Sequence, residues 1–151
     1  MGQQQFILLV LGIVVVGLAV TIGIQLYGLN QKKANADALL LTAMDIATDA
    51  QVWLRTPRSM GGGLPPKGGI PDISTISIEL TDLGYTVNGS DEYVTVDGTF
   101  SLSQNGGGIF VEAKSVTSSG GGDNNLICIE IDGYDLNDIS TDVNSGTGTC
   151  G

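Results

Sequence analysis

With 151 residues, the chain is long enough for one domain with a modest core and too short to suggest two. Sixteen acidic residues against six basic ones give a net charge of −10, the reverse of the basic footprint that nucleic-acid binding requires. There is no histidine, which removes the commonest general base and the commonest metal ligand together. Twenty-three glycines point to a turn-rich, β-leaning second half.

The first 31 residues, MGQQQFILLVLGIVVVGLAVTIGIQLYGLNQ, contain no charged side chain. From Phe6 to Tyr27 the run is apolar apart from Thr21, Gln25 and glycines, long enough to cross a hydrocarbon core of about 30 Å. A cleaved secretory signal fits poorly, because no basic residue precedes Phe6 and the apolar run exceeds an ordinary signal core. Ala34-Asn35-Ala36 has the form of a cleavage site, but it lies beyond Lys32-Lys33 and inside a helical pattern.

That pattern continues past the apolar run. Leu39, Ala43, Ile46, Ala50 and Trp53 recur in steps of four, three, four and three, marking one stripe from which Asp37, Asp45 and Asp49 fall away. Pro57 ends it, since the residue before a proline is pushed out of the α region. One helix over about residues 3–55 is predicted, roughly 75–80 Å long, apolar all round in its first half and amphipathic in its second. Its first half must find lipid or copies of itself. Ala19 and Gly23 form a small-xxx-small pair, and Gly12 and Gly17 add flat places where another backbone can approach.

The stretch Met1–Pro57 resembles the mature N-terminus of type IV pilins and of the pseudopilins of type II secretion. It shares a short opening run, an apolar helix, a tyrosine at its exit (Tyr27) and an amphipathic continuation. The segment LRTPRSMGGG after the helix is also similar to a helix-to-loop junction found in pilin-like proteins. The resemblance implies a mature chain beginning at Met1 after removal of a basic leader. It also implies residence in the inner membrane before assembly, the pilus assembly machinery and copies of the same chain as partners, and a filament at the cell surface. Met1, Gln5, Phe6, Gly12, Gly17, Ala19, Gly23 and Tyr27 are the implied assembly residues. Two departures stand out. Gln5 occupies the position where most members carry a glutamate thought to pair with a neighbour's free amine, so the charge term is lost. The family's usual proline within the apolar helix is missing. Lys32-Lys33 would by themselves retain their end of the helix in the cytoplasm, a bias that a removed basic leader would override.

Beyond residue 56 the expected divisions are a Gly/Pro-rich loop over 57–72 and an antiparallel β domain over 73–151. They follow an apolar helix over 1–31 and its amphipathic continuation over 32–56. Ile73 to Tyr85 is ambiguous between a short helix and a first strand. YVTV, Asp97-Gly98 and TFSLS read as a hairpin whose turn pair favours type I′ geometry, and QNGGG and SSGGGDNN mark two more. About four strands result, with one face against the seam from Leu39 to Trp53. The fold class is α+β, a pilin-like long helix packed by its C-terminal half on a small antiparallel sheet.

Cys128 and Cys150 enclose a polar tail. An even count in an exported domain points to a disulfide, the alternative being two free buried thiols. Asp132, Asp135, Asn137, Asp138, Asp142 and Asn144 offer hard oxygen ligands, and some major pseudopilins hold calcium in such a loop, yet the spacing does not match an EF-hand. A plain polar loop is the simpler reading. Asn88-Gly89-Ser90 fits an N-glycosylation pattern and, more simply, a surface turn. With no GxSxG, CxxC or Walker-type motif, no enzymatic activity is expected and no cofactor beyond a possible calcium ion. The reading is a structural subunit of an extracellular filament. Its alternatives are a membrane-anchored exterior binding module and a minor pseudopilin of a secretion system.

Overall fold

A computed structural model describes residues 2–64, 72–105, 107–116, 125–145 and 150. Helix α1 runs from Gly2 to Arg55 without interruption. Five strands follow: β1 (Tyr93–Val94), β2 (Gly98–Asn105), β3 (Gly108–Ser115), β4 (Asn125–Ile131) and β5 (Ile139–Ser145). They form one antiparallel sheet in sequence order. The chain divides into two compact units, residues 1–34 and 35–151.

In the second unit α1 buries Leu39, Ala43, Ile46, Ala47, Ala50, Gln51 and Leu54. Four of the five predicted seam positions are fully buried. Trp53 is partly buried and packs against the same core, with Leu54 buried beside it. Asp37, Asp45 and Asp49 are exposed, as the periodicity requires. The sheet meets this stripe with Phe100 of β2, with Ile109, Val111 and Ala113 of β3, and with Ile127, Ile129 and Ile131 of β4. These positions alternate along each strand, so one sheet face carries the core. Phe110, Glu112 and Cys128 belong to the opposite face.

The hairpin at Asp97-Gly98 forms, but not with the predicted turn. Val94 pairs with Thr99, and the Thr95 N–H donates to the Gly98 carbonyl at 2.9 Å, so Val96 and Asp97 occupy the turn. Neither Asp97 nor Gly98 has the positive φ that type I′ geometry needs. Gly98 instead lies in β2, where a Cβ would stand 2.3 Å from Leu39 Cδ2 and 2.4 Å from the Lys114 carbonyl oxygen. The glycine lets helix and sheet approach.

Residues 73–85 form neither a full helix nor a strand. A single 3₁₀ turn, Ile73–Thr75, starts at Asp72, whose carboxylate accepts the Ser74 N–H. A further turn closes where Tyr85 N–H donates to the Leu80 carbonyl and Gly84 N–H to that of Thr81, with Gly84 at φ +88°. That is a Schellman closure on an otherwise irregular segment. It still contributes Ile73, Ile76, Ile78 and Leu80 to the core.

Strand count differs from expectation too. The sequence ISTDVNS, read as polar tail, is β5, paired with β4 from Ile131↔Ile139 to Asn125↔Ser145.

The described part of the predicted loop is a tight cap on α1. Gly63 N–H donates to the Trp53 carbonyl (3.0 Å), Leu64 N–H to that of Thr56 (3.0 Å), and Thr56 Oγ1–H to that of Val52 (2.7 Å). Carbonyls that end a helix without partners are thereby satisfied. Cβ atoms at Gly62 and Gly63 would lie 2.1 Å from the Thr56 carbonyl oxygen and 2.6 Å from the Trp53 ring.

Candidate functional site: an exposed apolar helix

Seventeen large hydrophobic side chains between Phe6 and Leu29 are exposed, from 45% at Val10 to 70% at Phe6. At about 1.5–3 kcal/mol per fully buried side chain, leaving them in water forfeits tens of kcal/mol. The helix is long and apolar enough to cross a membrane. Gln5, Phe6, Gly12, Gly17, Ala19, Gly23 and Tyr27 all lie exposed on this segment; Met1 lies outside the described residues.

The glycines form two seams. At about 100° per residue, Gly12 and Gly23 lie about 20° apart around the helix, as do Gly17 and Gly28. The second pair stands about 140° round from the first. Among the described residues, and apart from the adjoining turns of the helix itself, nothing comes within 4 Å of where a Cβ would sit at any of the four. A helix that dimerised in a closed pair would need one such face, whereas two faces admit a neighbour on each side.

Cys128 and Cys150 are bonded, with Cα atoms 5.5 Å apart. Beside them sits a residue the sequence reading passed over. Glu112 is buried on β3 opposite Cys128 in register; its Oε2 accepts the Cys150 N–H at 3.2 Å and its Oε1 pairs with Lys114 Nζ. A glutamate inside the otherwise apolar run IFVEA was the available signal. The ion pair and the hydrogen bond compensate its burial, and they hold Cys150 against the sheet.

The carboxylates named as possible calcium ligands lie on and around the turn between β4 and β5. Asp135 and Asp138 form a reciprocal capping box around the 3₁₀ turn Leu136–Asp138, Asp138 Oδ2 accepting the Asp135 N–H at 3.0 Å. A Cβ at Gly133 would fall 2.0 Å from that same oxygen. Asp132 neighbours Glu130, whose carboxyl is pushed above its usual range first by burial and then by the Asp132 charge. Asp142 stands on β5 opposite Cys128, and Asn137 is exposed. Among the described residues no three His, Cys, Asp or Glu side chains are placed to hold a metal ion.

On the helix flank, Tyr85 donates its hydroxyl to Asp49 Oδ2 at 2.6 Å. Burial first, then this bond and the Asp49 charge, push its pKa well above the usual 10. Asn88-Gly89-Ser90 is an exposed turn, with Asn88 Oδ1 accepting the N–H groups of Ser90 and Glu92.

No family model, curated protein or solved structure matches the chain. What stands is the layout. A long apolar N-terminal helix, a small antiparallel sheet against its second half and one disulfide are consistent with a pilin-like fold.

Proposed function

We propose that the chain is a structural subunit of a helical extracellular filament of the type IV pilin class, assembled through its N-terminal apolar helix. The observation that carries this reading is the uncovered run from Phe6 to Leu29, joined in one unbroken helix to a folded, disulfide-bonded domain. Lipid and a bundle of like helices offer such a surface similar surroundings, so one segment serves as membrane anchor before assembly and as filament core after it. Open-ended, head-to-tail contacts between copies give a filament rather than a closed oligomer, and two glycine seams supply two different faces. In the core, Gln5 replaces a charge with a neutral amide that is less costly to bury.

The test is electron cryo-microscopy of material sheared from cells that produce this chain. Filaments with residues 2–31 bundled at the axis and the Cys128–Cys150 domain outside would establish the reading. A shear fraction without filaments, with the protein recovered as a detergent-extracted monomer, would replace it with a membrane-anchored exterior binding module.

A further inference from the structure

Helix α1 carries a second uncovered stripe, this one in the folded unit. Asp37, Leu41, Asp45, Thr48 and Val52 recur in steps of four, four, three and four on the side away from the buried seam, and all are exposed, Leu41 at 69% and Val52 at 59%. The stripe mixes apolar and acidic groups, so its complement is a helix face that is apolar and basic at the same spacing. The chain contains one. Gln25, Leu29 and Lys33 also recur in steps of four and are also exposed, Leu29 at 56%. Set parallel and offset by 12 residues, about 18 Å, the two faces match position by position. Gln25 meets Asp37, Leu29 meets Leu41, and Lys33 meets Asp45.

We propose that Asp37–Leu41–Asp45 of one copy is the docking face for Gln25–Leu29–Lys33 of the next, and that this pairing sets the axial step between neighbouring helices. It rests on the filament reading and names the contact within it. The three pairs together fix register: one helical turn of slip one way sets Lys33 on Leu41, and one turn the other way sets Leu29 on Asp45 and Gln25 on Leu41. Because donor and acceptor faces are different surfaces, the contact is heterologous and propagates.

The experiment uses the full chain in its membrane. Leu29→Cys and Leu41→Cys are introduced singly and together, and copper–phenanthroline oxidation is followed by non-reducing electrophoresis. The double variant is expected to give a ladder of multimers, a mixture of the two single variants a dimer, and each single variant alone a monomer. In parallel, Lys33→Asp and Asp45→Lys are each expected to lower filament yield at least tenfold, and the exchanged double variant to restore it to within twofold. Filaments without the ladder and without rescue overturn the pairing and leave the filament standing. The ladder without filaments upholds the pairing and sinks the filament reading. Absence of both overturns both, and cross-linking by either single variant alone overturns the heterologous geometry.

Discussion

Replacing Gly98 with alanine tests the account of how helix and sheet meet. A Cβ there would lie 2.3 Å from Leu39 Cδ2, the end of a side chain that can swing, and 2.4 Å from the Lys114 carbonyl oxygen, which is fixed by the β2–β3 ladder. Overpacking of this kind costs about 1–3 kcal/mol, and an immovable backbone atom places the case at the upper end. Alanine's smaller unfolded-state entropy returns about 0.4–1 kcal/mol, leaving a net loss of about 2 kcal/mol. For a unit of this size the melting temperature should fall by roughly 5–12 °C. Fluorescence of Trp53, the only tryptophan, reports on the helix end during thermal unfolding of the detergent-solubilised chain. Gly98→Asn separates the two roles a glycine could have here. Asparagine suits a left-handed turn but brings a larger clash, so packing predicts that it destabilises more than alanine. An alanine variant melting within about 2 °C of the parent, or an asparagine variant more stable than the alanine one, would refute the close-approach argument.

Three further outcomes follow from the same structure. Replacing both Cys128 and Cys150 with serine should cost about 3 kcal/mol, as expected for a closure spanning 22 positions, read as a lower urea midpoint. Tyr85 holds its proton more tightly folded than unfolded, so its contribution is complete below pH 10 and is lost as the pH rises beyond that; Tyr85→Phe should flatten the decline in urea midpoint above pH 10. Glu130 also has a raised folded pKa, so its stabilisation is present below the usual carboxylate range and lost as the pH rises through the folded value. Glu130→Gln should therefore raise the melting temperature slightly at pH 7 and leave it unchanged at pH 3.

Where one physical cause dominated, the chain could be read directly. Leu39, Ala43, Ile46 and Ala50 were legible because burial on one helix face imposes its period and nothing else competes. Trp53 packs against the core yet stays partly exposed, because the real stripe is two columns wide and Trp53 stands at its edge beside Gly63 of the cap. β5 was not legible since an edge strand with a polar face has little apolar alternation to show; ISTDVNS offers only Ile139 and Val143. The Asp-Gly pair gave the right hairpin for the wrong reason, as a glycine needed for contact and one needed for φ look alike in a string of letters. Likewise, Asp135 and Asp138 carry the same carboxylates whether they ligate a cation or cap a turn, and only the fold shows them capping. The contact between Glu112 and Cys150 joins residues 38 positions apart, which no local pattern could announce.

The meander has a consequence in time. Every strand pairs with its successor, so the hairpins close over short loops, with Asn105 facing Gly108 across two residues. The helix is held to the rest of its unit over far longer stretches of chain. Asn35 reaches the Asp97 carbonyl across 62 positions, and Gln51 reaches that of Asp135 across 84. Closing loops of that length costs about 3 kcal/mol more entropy than closing a hairpin. Sheet formation should thus run ahead and docking of residues 39–54 should set the pace, so that variants of the hairpin turns slow folding with little effect on unfolding, while variants of the seam divide their effect between the two rates.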